Sequence, residues 1–147
     1  MAGRAWGNLP ALADRPAPGL GPLGGLAAAL LHARALGIPS VLSAPCDTLG
    51  LPLDLARRLA PGPSVVAGHW LVGLWPSDLA GPLMGALAAG VRRARDWVVL
   101  TSARPVPLDG LRNLNRPADA ARWTDDAGST RAAAPGPTGA LHGSSPF

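Results

Sequence analysis

An aspartate that directly follows a predicted strand offers the most specific chemistry in this sequence. Residues 38–44 (IPSVLSA) predict a buried strand that stops at Pro45, and Asp47 stands just past its carboxyl end. Mg²⁺ commonly takes one or two protein carboxylates and fills its other positions with water and phosphate oxygens, so a single Asp is sufficient for a magnesium site. The alternative interpretation is that Asp47 serves as a turn or cap residue.

A second candidate site combines an acidic residue with a glycine-rich stretch. Six residues separate Asp14 from Gly21, which opens the string GPLGG at positions 21–25. Glycines let a ligand approach the backbone, and the first amides of a helix are unpaired donors that suit polar or anionic groups. The pattern favours ligand binding near Asp14 and Gly21, although Gly-Pro before an Ala-rich run is also an ordinary helix start.

Two asparagines close to the C-terminal part of the chain form the third candidate. Asn113 and Asn115 are two positions apart, so their side chains point the same way if the segment is extended. Two amides could then contact one ligand. The alternative is that Asn115 only caps a helix that begins at Arg116-Pro117.

Thiol chemistry and a zinc site are both disfavoured. Cys46 is the single cysteine, it has no histidine nearby in sequence, and we expect it to be buried and inert. The three histidines are dispersed, which does not fit zinc. We expect His32 in the core or at its boundary, whereas His69, at the sheet edge before Trp70, is a plausible ligand contact.

The order of predicted elements places these residues in an α/β domain. Helices and strands alternate, which predicts an α/β sandwich with a mostly parallel sheet and ligands beyond the carboxyl ends of the strands. The apolar run at 38–44 predicts a central strand, and Trp75 and Trp97 are expected as core anchors. The predicted helices cover 23–36, 53–60, 77–89, 91–97 and 116–123; a further strand covers 104–108; 64–67 and 70–75 form a hairpin or lie in one sheet.

Length and composition predict one folded domain with loose ends. The chain has 147 residues, of which 48% are hydrophobic and 15% charged, the opposite of the composition of disordered proteins. Residues 1–20 alternate small residues with three Gly and three Pro, and we expect them to be a loop or linker. The α/β domain is predicted over residues 21–123, and the Gly, Ser, Pro and Ala-rich residues 124–147 are predicted to be a disordered tail.

Charge and cysteine content narrow the partners and the compartment. All 13 basic residues are arginines and the net charge is +4, which suits a phosphate-bearing small molecule as well as a nucleic acid. The interleaved pattern of aromatic and basic residues that is typical of single-strand binders is missing, so nucleic acid is disfavoured. A single cysteine, with neither a signal peptide nor a transmembrane pattern, predicts a cytoplasmic protein that does not bind membranes.

Taken in order, these segments resemble the molybdenum cofactor guanylyltransferases, within the nucleotidyltransferases of Rossmann-like fold. The resemblance runs from about Asp14 to Trp123. It rests on GPLGGL after Asp14, PCDT at 45–48 followed by LPLDLARRL, HWLVGLWPSDLAGPLMGAL from His69, GVRRARDW from Gly90 and RNLNRPADAARW from Arg112. Several short motifs in the right order are far more specific than any one of them.

The resemblance implies a Rossmann-like three-layer sandwich that transfers GMP from magnesium-bound GTP to the terminal phosphate of molybdopterin and releases pyrophosphate. By position, Asp14, Gly21 and Asp47 match nucleotide-binding residues, and Asp47 matches the magnesium ligand. Asn113 and Asn115 match acceptor-binding residues, while no residue is singled out as catalytic. The implied partners are GTP, molybdopterin and proteins of molybdoenzyme maturation; cytosine nucleotide in place of guanine stays open.

The sequence departs from this family at its start. The family's Gly-rich loop, of the form LAGGxSxRMGxDK, has no counterpart, and the chain contains no Lys. We therefore expect an N-terminally truncated form of the fold. In addition, Gly68-His69-Trp70 replaces a longer segment in which Arg precedes the His and Pro follows it. The alternative to an active transferase is a catalytically inactive remnant, or a non-enzymatic module that binds the cofactor or a partner protein.

Overall fold

A computed structural model of the chain describes residues 11–113, and the elements in that range alternate between helices and strands. The elements are α1 (Pro22–Ala35), β1 (Ser40–Ser43), β2 (Thr48–Leu49), α2 (Leu55–Leu59), β3 (Ser64–Val66), β4 (His69–Pro76), a short 3-10 helix (Ser77–Leu79), α3 (Ala80–Ala88), α4 (Ala94–Leu100), β5 (Arg104–Val106) and β6 (Arg112–Asn113).

The main sheet contains four strands in the order β1-β4-β3-β5. β4 pairs antiparallel with β1 and with β3, whereas β3 and β5 are parallel. A two-residue turn at 67–68 joins β3 to β4 and forces their antiparallel pairing, so the hairpin interpretation is confirmed. The α/β class is therefore confirmed with a mixed sheet, and the expectation of a mostly parallel one is wrong for the described strands. β2 and β6 form a separate antiparallel ribbon.

Strand side chains alternate between two apolar cores, one on each face of the sheet. Val65 packs in the core formed with α1, α3 and α4, and its neighbour Val66 packs in the core formed with α2. β4 alternates in the same way, with Trp75 in the first core and Leu74 in the second. Helices thus cover both faces of the sheet, which is the layer arrangement of an open, Rossmann-like α/β fold.

Helix α1, predicted over 23–36, is confirmed, and both of its ends have a local cause. It begins at Pro22 directly after Gly21, whose φ of 70° turns the chain into the helix. It ends at Ala35; Gly37, also at φ 70°, follows the C-cap residue Leu36, and the N–H of Ile38 donates to the carbonyl of Ala33 at 2.9 Å. A hydrogen bond from the residue after the glycine to a carbonyl five positions earlier is the signature of a Schellman cap, which ends the helix before β1.

The position of β1 differs from the prediction of a central strand buried on both faces. Within the described residues β1 pairs with β4 alone, and Leu42 is 44% exposed. The apolar, uncharged run indicated a strand correctly. Which strands lie beside it depends on the rest of the chain, so local sequence did not determine its place in the sheet.

Other predicted elements agree in type and differ in extent. The helix expected over 91–97 begins at Ala94 and continues to Leu100. Some predictions fall outside the described residues. They are the helix over 116–123, Asn115, the tail over 124–147 and residues 1–10 of the linker. Residues 11–20 contain neither helix nor strand. None of the helices in the described range is long and apolar enough to cross a membrane.

Candidate functional site

The loop between β1 and β2 carries Asp47. The N–H of Thr48 donates to the carbonyl of Pro45 at 3.2 Å, which closes a turn around Cys46 and Asp47. Asp47 is half-buried, and its carboxylate takes part in no hydrogen bond or ion pair with the residues that the structure describes. A carboxylate held in a turn without such a partner can accept a cation.

A hydrogen-bond network anchors the end of β1 that leads into this loop. The Ser43 hydroxyl donates to the carbonyl of Leu71 at 2.7 Å, and it accepts the indole N–H of Trp75 at 2.9 Å. Trp75 is only 1% exposed, so its N–H depends on this acceptor. Ser43 therefore ties the core to the point at which the chain leaves β1 for Asp47.

The first cleft lies between α1 and β1 and has a volume of about 480 Å³; we call it the α1–β1 cleft. Its walls are Pro22, Gly25, Leu26 and Ala29 of α1, residues 41–46, and Leu71. No charged side chain is among these residues. A largely apolar cleft of this size suits the planar, uncharged part of a small molecule.

Asp14 and the glycine-rich stretch meet at the N-terminal turn of α1, where Pro22 and Gly25 line this cleft. The N–H of Arg15 donates to the carbonyl of Gly24 at 3.1 Å, which holds Asp14 against the first turn of α1. A methyl group built on Gly24 would lie 3.2 Å from the Asp14 Cβ, and one on Gly25 would lie 3.7 Å from its Oδ1. The glycines thus leave room for the Asp14 carboxylate beside the helix N-terminus. Gly21 directly precedes this turn.

The second cleft, of about 180 Å³, lies between the β3–β4 hairpin and the β2–β6 ribbon; we call it the hairpin cleft. Its walls are Pro45, Thr48, residues 68–72, Ala94 and Asn113. Thr48 and Asn113 are register partners, and the Thr48 hydroxyl donates to Asn113 Oδ1 at 3.3 Å. His69 and Trp70 line the opposite part of the wall, so neutral polar groups and an aromatic ring face one space.

The loop that carries Asp47 borders both clefts. Residues 44–46 line the α1–β1 cleft, and Pro45 and Thr48, on either side of Asp47, line the hairpin cleft. Leu71 contributes to both walls as well. Two neighbouring clefts that share a loop are an arrangement that can hold two reactants side by side.

A metal site built from protein ligands alone is not found in the described range. No group of three or more His, Cys, Asp or Glu side chains there could hold a metal ion. Asp47 is a single carboxylate, which is a donor that Mg²⁺ accepts together with water and phosphate oxygens. Zinc, which needs three or four nitrogen or sulfur ligands, does not fit this donor set.

Three of the secondary candidates can be placed. Cys46 is exposed and lines the α1–β1 cleft, so the expectation of a buried packing residue is wrong. His32 is exposed on α1, and its expected place in or near the core is also wrong. His69 lies in the wall of the hairpin cleft, as expected for a ligand contact.

Sequence reasoning missed two residues of the site. The sequence singles out Thr48 only as part of the PCDT string, but it is buried and bonded to Asn113 across the ribbon. Trp70 was noted only as the neighbour of His69, yet it lines the hairpin cleft. A Trp at the second position of the strand that follows the turn at 67–68 was the available signal, since Trp75 and Trp97 already supply the core.

The mixed sheet, the helices on both of its faces and the clefts at the strand ends define a Rossmann-like α/β protein. No protein-family model matches the chain. Curated relatives do. Molybdenum cofactor guanylyltransferases from Acidiphilium cryptum, Rhodobacter capsulatus and Rhizobium leguminosarum bv. trifolii are 37%, 35% and 32% identical to it, over 76%, 84% and 80% of this chain.

The chain belongs to the molybdenum cofactor guanylyltransferase family. It spans 62%, 69% and 68% of the length of these three relatives. The resemblance seen in the sequence is thus confirmed. The comparisons do not support the alternative of an inactive remnant, because each of these relatives bears the name of the transferase.

Proposed function

We propose that the chain acts as a guanylyltransferase, which transfers GMP from GTP to molybdopterin and releases pyrophosphate. The observation that carries this proposal is the loop at 44–48, which carries Asp47 and whose flanking residues, Cys46 and Thr48, line one cleft each. A transferase must hold two substrates side by side with the reacting phosphates at one point. The two clefts would supply the substrate sites and the loop would supply that point.

We assign the nucleotide to the α1–β1 cleft. Its apolar walls suit a purine base. Asp14 lies against Gly24 and Gly25 in the N-terminal turn of α1, and we assign its carboxylate to the polar edge of that base. A carboxylate can accept hydrogen bonds from the amino and imino groups of guanine, which cytosine presents in a different pattern. This assignment favours GTP over CTP.

The phosphates of the nucleotide would extend towards Asp47. Mg²⁺ bound there by the carboxylate would neutralise charge on the phosphates, and phosphate oxygens and water would complete its shell. The described residues of the α1–β1 cleft offer no cationic side chain for this purpose. Binding of the triphosphate should therefore depend strongly on the metal.

We assign molybdopterin to the hairpin cleft, with Asn113 as a contact and Asn115 as its predicted partner. The Thr48–Asn113 bond fixes the Asn113 amide at the cleft wall. In the transfer, an oxygen of the acceptor's terminal phosphate forms a bond to the α-phosphorus of GTP while the bond to pyrophosphate breaks. Reactions of this kind depend mostly on positioning and charge neutralisation. The predicted cytoplasmic location and the contact with maturation proteins belong to this proposal.

The test is calorimetric titration of the 147-residue chain with GTP, with Mg²⁺ and with EDTA. We expect Mg-dependent binding that Asp47→Asn weakens by about tenfold or more, because the isosteric amide removes the charge that attracts the metal. Asp109→Asn is the matched control, since Asp109 is exposed and lies outside the loop at 44–48 that borders both clefts. Equal affinity of the Asp47→Asn and wild-type chains, or binding unaffected by EDTA, would contradict the proposal.

A further inference from the structure

Strand β4 departs from regular pairing where it borders the hairpin cleft. Val65 is the partner of Gly73, but the next residue, Val66, is the partner of His69. One step along β3 thus corresponds to four steps along β4, and residues 70–72 have no partner on β3. Irregularities of this kind re-aim side chains and are over-represented beside functional sites.

The unpaired segment is held in place and forms the wall of the cleft. The carbonyl of Leu71 accepts the Ser43 hydroxyl at 2.7 Å, which fixes the middle of the segment to β1. Trp70, Leu71 and Val72 all line the hairpin cleft, together with Thr48 and Asn113 from the ribbon. The irregularity therefore presents side chains to this cleft that regular β3–β4 pairing would have placed differently.

Trp70 differs from the two tryptophans of the core. Trp75 and Trp97 are 1% and 2% exposed and pack against each other with ring centroids 6.3 Å apart. Trp70 is 36% exposed and belongs to neither apolar core cluster. An indole in the wall of a cleft, with neutral polar groups opposite, is suited to stack on a flat heterocycle whose edge carries hydrogen-bonding groups.

We infer that Trp70 is the stacking residue for the pterin ring of the acceptor, with Asn113 at the polar edge of that ring. This inference rests on the proposed function. It adds that the hairpin cleft binds the pterin ring of the acceptor and that Trp70 selects this ring. The lining residues favour a ring over a phosphate group, because none of them is Arg or Lys. Pterin and guanine share a 2-amino-4-oxopyrimidine ring, and we assign the cleft to the pterin.

The test is binding of 6-hydroxymethylpterin, which lacks phosphate, to the 147-residue chain in the absence of nucleotide. We expect Trp70→Ala to weaken binding by about tenfold, equivalent to 1.4 kcal/mol, because it removes the stacking surface. Trp70→Phe should restore most of the affinity. Val99→Ala is the control, since Val99 is 70% exposed on α4 and lines neither cleft. Thermal melts verify that each variant is folded.

A second measurement, of the affinity for Mg-GTP, distinguishes this inference from the proposed function. We expect Mg-GTP affinity to be unchanged in the Trp70→Ala chain, because GTP is assigned to the other cleft. A chain that binds the pterin through Trp70 but binds no Mg-GTP would support this inference and contradict the proposed transfer.

Three results would overturn the inference. The first is a wild-type chain that does not bind the pterin. The second is a Trp70→Ala chain that binds it as tightly as wild type, or a Trp70→Phe chain that loses as much affinity as Trp70→Ala. The third is guanosine competing with the pterin for a Trp70-dependent site, which would assign the cleft to the nucleotide.

Discussion

Replacement of Ser43 by Ala should destabilise the fold by an amount that the structure lets us work out. The substitution removes the acceptor of the Trp75 indole N–H, at 2.9 Å, and the donor to the Leu71 carbonyl, at 2.7 Å. Trp75 is 99% buried, so its N–H cannot turn to water instead. A buried donor left without a partner costs about 1–3 kcal/mol. We therefore expect a loss of about 2 kcal/mol, or a fall in Tm of roughly 4–8 °C for a chain of this size.

The assay is urea or thermal unfolding followed by circular dichroism, with Ser40→Ala as the matched control. Ser40 lies on the same strand, is also half-buried, and makes no side-chain hydrogen bond with the described residues, so its replacement should cost less than about 0.5 kcal/mol. In a Trp75→Phe background no indole N–H remains, and Ser43→Ala should then cost less than about 1 kcal/mol. Equal costs in the two backgrounds, or equal costs for Ser43→Ala and Ser40→Ala, would refute the reasoning.

Three further substitutions test the packing at two glycines and the ion pairs at the start of α2. Gly73→Ala should destabilise by about 1–3 kcal/mol, because the added methyl would lie 2.9 Å from both the Ser64 carbonyl and the Trp75 ring. Gly85→Ala, in α3 with open space around it, should instead stabilise by about 0.5–1 kcal/mol in the same unfolding assay. Changes of the same sign in the free energy of unfolding of the two variants would contradict this reasoning. The guanidinium of Arg58 and then that of Arg57 lower the pKa of Asp54 below its ordinary value of 3.8. The ion pairs of Asp54 with Arg57 and Arg58 therefore stabilise the folded state above about pH 4, and this stabilisation is lost as the pH falls through the lowered pKa of Asp54. Asp54→Asn should accordingly melt lower than wild type at pH 7, with a gap that closes in strong acid; a gap that persists at pH 2 would contradict this origin.

The local elements could be predicted from the sequence because their signals are local. Pro22 and Gly37 bound α1, and the two-residue turn at 67–68 defines the hairpin, so both elements are confirmed. The place of β1 in the sheet could not be predicted this way. An apolar run indicates a strand, but the strands beside it lie far away in sequence, and the run did not reveal that Leu42 would be exposed.

The sequence indicated the acidic and amide residues of the candidate site, but it did not indicate Thr48 and Trp70, which line the hairpin cleft. Asp47 follows a strand end, and Asn113 stands in a motif, so both carried a sequence signal. The Thr48–Asn113 bond joins residues 65 positions apart, and no local pattern predicts such a contact. The role of Trp70 depends on the irregular pairing of β4 with β3, which is a tertiary property of the hairpin.

The most direct test of the central claim is product formation. The 147-residue chain is incubated with Mg-GTP and molybdopterin, and the guanine dinucleotide and pyrophosphate are quantified by mass spectrometry and a coupled phosphate assay. We predict equal amounts of the two products, greatly reduced by Asp47→Asn and unchanged by Asp109→Asn. A folded chain that forms neither product at saturating substrates, or an Asp47→Asn chain as active as wild type, would contradict the assignment of guanylyl transfer to this site.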